Sequence, residues 1–195
     1  MSTIRNIMVA STCALSSPNN NNDYGIGAKK VSLNSISNVT STFIPSNAMN
    51  DFSCSKNTTV FVGNSYPLTV NYQSRPGGNA YLEVWIDWNN NGNFETSNSL
   101  GLNERVLTNN IPASSSGSPT ISIIPPANAI LNTILRMRVV TEFTGSPTVC
   151  GAGYVQRADD YGVLVKALPT TTTWNATTSV SYTHLRAHET GRNLV

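Results

Sequence analysis

The stretch Ala80-Tyr81-Leu82-Glu83-Val84-Trp85-Ile86-Asp87-Trp88 is the clearest strand pattern in the sequence. Leu82, Val84 and Ile86 share one parity, which predicts a strand with one face in a core. Similar short runs occur at residues 31–36, 58–62, 66–72, 104–107, 121–123, 135–140 and 161–165. Short strands separated by turn signals at intervals of about ten residues predict an all-β fold, an antiparallel β-sandwich of the Ig or jelly-roll type, with disordered ends.

Oxygen-bearing side chains stand at every second position after this strand. Asp87, Asn89, Asn91 and Asn93 alternate, and Gly92 lies where the backbone must turn sharply. Carboxylate, amide and carbonyl oxygens in this spacing are typical of a loop that wraps Ca²⁺. We therefore expect the calcium ligands to be the side chains of Asp87, Asn89 and Asn91 and the backbone carbonyl of Asn93.

Further ligands have to come from outside the loop, because Ca²⁺ takes about six to eight oxygens. Position twelve of the loop is Asn98 instead of a glutamate, and we expect Glu104, Asp159 or Asp160 to complete the shell. With one charged ligand in the loop, low affinity suited to extracellular calcium is expected. The alternative is an Asn/Gly turn whose amides bond to their own backbone, and the sequence leaves both interpretations open.

The composition argues against several function classes. Charged residues make up 11% of the chain, the formal net charge is +2, and hydrophobic residues make up 39%. Soluble domains average about 25% charged residues. A weakly charged chain of this kind predicts neither nucleic-acid nor anionic-membrane binding. Nor does any apolar run approach the roughly 18 residues of a membrane span.

Both histidines, His184 and His188, lie near the C-terminus. The surrounding run from Val180 to Thr190 resembles one reading frame of a common transposase-type sequencing adapter, and we exclude it from fold reasoning. Without it the chain has no histidine, so Ser-His-Asp and Cys-His arrangements are excluded. Asp159 and Asp160 form no glycosidase pair, since neighbours on a strand point to opposite faces. We expect no catalytic residues and no enzyme.

Three cysteines, Cys13, Cys54 and Cys150, are too far apart for a CxxC motif. An exported protein would contain one disulfide and one leftover thiol, whereas a cytosolic protein would contain three buried thiols. We prefer the pair Cys13–Cys150, although the sequence leaves the pairing open.

The chain divides into four segments. Residues 1–23 are an irregular start typical of a fragment, 24–167 the β-sandwich, 168–179 a Thr-rich linker and 180–195 the adapter-like end. Within the sandwich, Trp85 is predicted to be core. Arg136 and Arg138 are predicted to form a solvated or ion-paired stripe on the wet face of their strand.

Several ordered motifs resemble the GEVED domain family. They are Trp85-Ile86-Asp87-Trp88-Asn89, Glu104-Arg105-Val106, Arg136-Met137-Arg138-Val139 and Pro147-Thr148-Val149-Cys150-Gly151. The closing Gly-Glu-Val-Glu-Asp-Tyr motif is degenerate here, because Gln156-Arg157-Ala158 replaces its first three residues while Asp159-Asp160-Tyr161 follows. A cation therefore stands where the family has an acid.

The resemblance implies a non-catalytic β-sandwich module of a larger secreted or cell-surface bacterial protein, often one exported by the type IX route. Its role is expected to be structural or adhesive, with neighbouring domains, glycans or a cell-surface protein as partners. The alternative is a carbohydrate-binding module appended to a secreted hydrolase, with Trp88, Tyr81 or Tyr154 as the sugar platform. Trp88 is the preferred platform, because it lies at the edge of the loop.

Overall fold

The computed structural model describes residues 13, 15–16, 27–40, 49–143, 145–153 and 155–169. The predictions for residues 1–12, for Tyr154, and for the linker and adapter-like end beyond residue 169 lie outside this part of the chain. The proposed domain boundaries stay a prediction.

Every regular element of the described residues is a β-strand, so none of them forms a helix that could cross a membrane. The strands are β1 (Leu15–Ser16), β2 (Ala28–Leu33), β3 (Ile36–Val39), β4 (Met49–Asp51), β5 (Asn57–Phe61), β6 (Tyr66–Gln73), β7 (Ala80–Ile86), β8 (Arg105–Ile111), β9 (Ser116–Gly117), β10 (Thr120–Ile123), β11 (Ile134–Glu142), β12 (Gly151–Ala152) and β13 (Gln156–Lys166).

Two sheets form the predicted sandwich. The first has the order β10-β6-β2-β3, with β9 also paired to β6, and all its pairs are antiparallel. The second has the order β4-β13-β11-β7-β8, with β5 also paired to β13. Both β4 and β5 run parallel to β13, so this sheet is mixed and not antiparallel throughout. The all-β sandwich is confirmed, and its strand directions are more varied than predicted.

Two predicted strand boundaries were wrong. Residues 31–36, expected as one strand, contain a hairpin in which Leu33 pairs with Ile36 across the turn at Asn34. Asn34 adopts a φ of 49°, a left-handed conformation that asparagine tolerates better than most residues. The last strand begins at Gln156 instead of Tyr161, because the polar motif residues are themselves buried strand residues.

The main core lies between the two sheets. Inward side chains of β7, β11 and β13 pack against those of β2 and β6. Its members include Val31, Leu33, Leu68, Val70, Leu82, Val84, Ile86, Trp88, Leu135, Met137, Val139, Tyr161, Val163 and Val165. Alternation along β7 therefore predicted the inward face correctly.

Over β11 and β13 the outer face of the mixed sheet is buried as well, and this corrects the prediction of a wet face on β11. A second cluster, which we call the outer layer, covers it with Cys13, Trp85, Phe94, Val140 and Ala158. Trp85 is core, as predicted, but of this second cluster. The short strands β1 and β12 pair in parallel beside it.

Candidate metal centre

The Asn-rich loop between β7 and β8 is fixed at both ends to the mixed sheet. Asp87 N donates to the carbonyl of Arg136 at 3.0 Å, which carries the β7 ladder one residue beyond the strand. Glu104 N donates to the carbonyl of Glu95 at 3.0 Å, while Ile86 N donates to the carbonyl of Glu104 at 2.8 Å. Backbone hydrogen bonds thus join the two ends of the loop to each other and to the mixed sheet.

Asp87 organises the first turn of the loop. Its Oδ1 accepts a hydrogen bond from Asn91 N at 3.1 Å and its Oδ2 accepts one from Gly92 N at 2.9 Å. The side chain is buried, with the residue 1% exposed. Gly92 has a φ of 83°, which a side chain would strain. The backbone therefore wraps around this carboxylate.

Two asparagines continue the wrapping. Asn89 Oδ1 accepts from Asn91 N at 3.0 Å, and Asn91 Oδ1 accepts from Asn93 N at 2.8 Å. These are the local bonds that the turn interpretation predicts. They leave the calcium interpretation open, because an amide oxygen has two lone pairs and keeps one for a cation.

Glu95 belongs to this site, although sequence reasoning missed it. Its Oε2 accepts hydrogen bonds from Asn89 Nδ2 at 3.3 Å and from Asn91 Nδ2 at 3.2 Å. Counted from Asp87 as the first residue, Glu95 is the ninth, a position that calcium loops use, often through a water molecule. The ninth-position spacing was therefore the sequence signal that could have identified Glu95.

Glu104, which directly precedes β8, contacts the loop, and its predicted role as a metal ligand stays a prediction. Its Oε2 accepts from Glu95 N at 2.9 Å and its Oε1 accepts from Asn98 Nδ2 at 2.7 Å. Glu104 is fully buried. Asn98 Oδ1 in turn accepts from the backbone of Leu100 and Leu102, so this amide orients the glutamate.

The loop carboxylates carry uncompensated negative charge. Burial raises the pKa of Asp87, and the charge of Glu95 adds to that rise. Burial likewise raises the pKa of Glu104, with a contribution from Asp87. Among the described residues, no lysine or arginine forms an ion pair with Asp87, Glu95 or Glu104. The loop therefore favours either a bound cation or bound protons.

The described part of the chain contains no group of three His, Cys, Asp or Glu residues close enough to be a ready metal cluster. A cation in the loop would thus depend on amide and carbonyl oxygens as well as on carboxylates. Those are ligands that Ca²⁺ accepts and Zn²⁺ rarely takes. The donor set therefore fits a hard cation.

Asp159 and Asp160 do not complete this site, which corrects the prediction. They point to opposite faces of β13. Asp160 binds Arg136 and Arg138 on the outer face, with nitrogen–oxygen distances of 2.6 and 2.7 Å. Asp159 lies on the inner face, where its Oδ1 accepts from Asn50 Nδ2 at 2.9 Å. The motif acids therefore hold the sheet together.

Asp159 makes the stability of the fold depend on pH. Burial raises its pKa to about 6, against the effect of the Asn50 hydrogen bond and with help from the charge of Asp160. A raised folded-state pKa contributes stability below the unfolded value of 3.8, and this contribution is lost as the pH rises through about 6. Asp159→Asn should therefore gain about 3 kcal/mol over the wild type between about pH 3.5 and pH 7.

Urea denaturation of both proteins at the two pH values measures this change. A free-energy difference between variant and wild type that is the same at both pH values would contradict the assignment to Asp159.

Arg138 connects the outer layer to the sheet. Its Nε and Nη2 donate to the two carboxylate oxygens of Asp160 at 2.7 and 2.8 Å. Its Nη1 donates to the carbonyls of Cys13 and Val149 at 2.9 and 3.0 Å, and Nη2 also contacts Met49 Sδ at 3.2 Å. All N–H groups of this fully buried guanidinium thus have partners.

The two segments that Arg138 holds are also joined covalently. Cys13 and Cys150, the preferred pair, form a disulfide. Cys54 is free and exposed, so the alternative of three buried thiols does not hold. The predicted stripe of Arg136 and Arg138 is ion-paired but not solvated.

Phe94 links the candidate metal loop to the outer layer. Its ring lies edge-on to Trp85, with centroids 6.4 Å apart, and 5.1 Å from the guanidinium carbon of Arg138. Because Phe94 follows directly on the Asn-rich turn, the conformation of the loop and the packing of the outer layer are coupled.

Trp88 is not the surface platform that the sequence suggested. The residue is 3% exposed and packs in the main core. The physical reason is alternation, since Trp88 continues the inward parity of Leu82, Val84 and Ile86. Its carbonyl accepts a hydrogen bond from Ile130 N at 2.9 Å, which ties the segment at Ile130 to the end of β7.

The fold and the site define an all-β sandwich module whose outer face is closed by a disulfide-linked layer. Residues 81–164, less than half of the 195-residue chain, match the family profile described as "GEVED domain", the family that the sequence motifs resemble. The motifs that carried the resemblance are mainly structural: Trp85 and Trp88 are buried in the two cores, and Arg138 binds the motif acid Asp160.

No curated protein matches the chain. Among solved structures, the crystal structure of Spo0M, a sporulation control protein from Bacillus subtilis, has 13% sequence identity and a TM-score of 0.33. The match covers 74% of this chain and 51% of that one, so the chain spans about half the length of the structure it matches. A likeness this weak carries no conclusion about function.

Proposed function

We propose that this chain is a non-catalytic, extracellular β-sandwich module of a larger secreted or cell-surface bacterial protein. Its role is structural or adhesive, and calcium stiffens the loop between β7 and β8. The single observation that carries the calcium assignment is the charge of that loop. Asp87, Glu95 and Glu104 all accept hydrogen bonds within that loop, and none of them has a basic partner among the described residues.

In this proposal the ligands are side-chain oxygens of Asp87, Asn89 and Asn91, the carbonyl of Asn93, and the carboxylates of Glu95 and Glu104. This set offers three charges instead of the one that the loop sequence alone suggested. Calcium replaces like-charge repulsion with attraction and thereby fixes the loop against the sheet. Weak affinity still suits the site, because local backbone bonds already occupy part of each oxygen's capacity.

A structural role is supported by the distribution of the buried charges. Asp160, Arg136 and Arg138 neutralise one another beneath the outer layer, so their chemistry is directed at holding strands and not at a substrate. Export is supported by the disulfide, which persists in oxidising compartments. The type IX route and the neighbouring domains of the same polypeptide follow from the family resemblance.

Calcium should raise the melting temperature of the protein. If the dissociation constant is about 1 mM, about 10 mM CaCl₂ stabilises the folded state by about 1.4 kcal/mol. That corresponds to a rise of about 4 °C relative to the same protein in EDTA. Differential scanning fluorimetry measures the rise, and the same concentration of MgCl₂ should give a smaller one, because Mg²⁺ requires stricter geometry.

Glu95→Gln tests the assignment of the site. The amide keeps an oxygen for the bonds from Asn89 and Asn91 while removing one charge, so the calcium-dependent rise should fall by about half or more. Asp51→Asn is the charge-matched control, because Asp51 is 48% exposed and pairs with Arg136 away from the loop. An equal calcium effect in the wild type and in Glu95→Gln would rule out this loop as the site.

A further inference from the structure

A second concave site lies on the outer face of the mixed sheet, away from the candidate metal loop. It is a groove of about 350 Å³ between β7 and β8, which we call the β7–β8 groove. Its floor contains Tyr81, Glu83, Thr108 and Asn110, and Asn109 and the segment 146–147 border it. A cavity of this size is within the range of about 300–1,000 Å³ that small-molecule sites occupy.

The strand register brings the floor residues together. Tyr81 pairs with Asn110, and Glu83 pairs with Thr108. Directly opposed residues of an antiparallel pair have neighbouring side chains on the same face. The floor of the groove therefore presents four neighbouring groups on one face: an aromatic ring, an amide, a carboxylate and a hydroxyl.

The groove is built on fixed parts. The wall at residues 146–147 leads into Thr148 and Val149, whose carbonyls accept hydrogen bonds from Gln156 Nε2 and Arg138 Nη1. The disulfide at Cys150 follows immediately. A wall tied to the sheet in this way loses little conformational entropy when a ligand binds.

Polar groups in the groove have hydrogen-bonding capacity left. Thr108 and Asn110, both exposed on the floor of the groove, offer a hydroxyl and an amide that can donate and accept hydrogen bonds. The buried carboxylate of Glu83 accepts from Trp85 Nε1 at 2.9 Å and from Arg105 Nη1 at 3.3 Å. Each of its oxygens retains a second lone pair for a ligand hydroxyl.

The charge balance indicates the class of ligand. The Arg105 ion pair compensates the charge of Glu83, so the groove attracts neither a strong cation nor an anion. What remains is one aromatic face surrounded by groups that both donate and accept hydrogen bonds. This combination suits a flat, neutral molecule that has an apolar face and a rim of hydroxyls.

We infer that the β7–β8 groove binds a neutral saccharide, with the sugar ring packed on Tyr81 and its hydroxyls bonded to Glu83, Thr108 and Asn110. The inference goes beyond the structural role proposed above and does not depend on calcium, because none of these residues belongs to the metal loop. Tyr81 takes the role of platform that the sequence assigned preferentially to Trp88.

Isothermal titration of the full chain with cellohexaose, xylohexaose, laminarihexaose, mannohexaose and chitohexaose tests this inference. At least one should bind with a dissociation constant of about 1 mM or tighter. Tyr81→Ala should weaken that binding by about tenfold or more, whereas Asn64→Ala, an exposed residue outside the groove, should leave it unchanged. The titrations are repeated in EDTA, where binding should persist even if the calcium proposal fails.

A resonance of the wild-type protein provides a readout that needs no variant. Because Trp85 Nε1 donates to Glu83, a saccharide on that carboxylate should shift the indole N–H resonance of Trp85 in a ¹⁵N–¹H spectrum. The Trp88 indole, in the main core, should not move. No binding by any of the five oligosaccharides, or binding that Tyr81→Ala leaves intact, would overturn the inference.

Discussion

Replacing Cys13 and Cys150 together by alanine should lower the free energy of unfolding by about 5 kcal/mol. The disulfide closes a sequence separation of 137 residues, and in the chain-entropy treatment a loop of this length constrains the unfolded chain by about that amount. The outer layer would also lose its covalent anchor over Trp85 and Phe94. Urea denaturation of the oxidised wild type and of the double variant measures the difference.

Cys54→Ala is the matched control, because this cysteine is free and exposed. Its unfolding free energy should lie within about 0.5 kcal/mol of the wild type. The reduced wild type should resemble the double variant. A double variant as stable as the oxidised wild type would show that the outer layer is held without the disulfide.

Arg138→Met should cost about 3–5 kcal/mol, the range for removing one partner of a buried charge pair. The substitution keeps an apolar stem but leaves Asp160 with Arg136 as its remaining cation. It also leaves the carbonyls of Cys13 and Val149 without their buried donor. Both losses act on the same covered face, so thermal unfolding should begin at a markedly lower temperature.

Two further variants separate geometry from charge. Arg138→Lys retains the positive charge but lacks the planar fork that binds Asp160 and two carbonyls at once, so it should recover only part of the loss. Lys30→Met removes an exposed charge from β2 and should change stability by about 0.5 kcal/mol or less. Full recovery in the lysine variant would mean that charge alone matters at this position.

Local patterns predicted the inner half of the fold well. Alternation along β7 identified Leu82, Val84 and Ile86 as core, and the same parity extended by one step would have placed Trp88 beside them. The Pro-Gly-Gly turn signal of Arg75-Pro76-Gly77-Gly78 is local in the same way, and Arg75 and Gly78 form a bridge across it. Strand alternation and a tight turn both depend on residues that are close together in the chain, so a local sequence pattern is enough to predict them.

The outer layer was hidden from such reasoning because distant segments build it. Arg136 and Arg138 alternate with apolar residues, a pattern that normally marks a wet face. Only the arrival of Cys13, 125 positions from Arg138 in the chain, beside the segment at Val149 turns that face into a second core. The same covering explains why the motif acid Asp160 pairs with Arg136 and Arg138 instead of facing solvent.

The candidate metal loop was predicted only in part from the sequence. Its oxygen spacing was visible in the sequence, and Glu104 was expected to approach it. The contribution of Glu95 needed the ninth position to be counted as well as the odd positions before it. Phe94 became informative only once the layer that receives its ring was known.

The most direct test of the central claim is isothermal titration of the calcium-depleted protein with CaCl₂. The account predicts one calcium ion per chain, with a dissociation constant of about 0.1–1 mM, and complete loss of binding in Asp87→Ala. No heat of binding at calcium concentrations well above that range, or unchanged binding in Asp87→Ala, would contradict it.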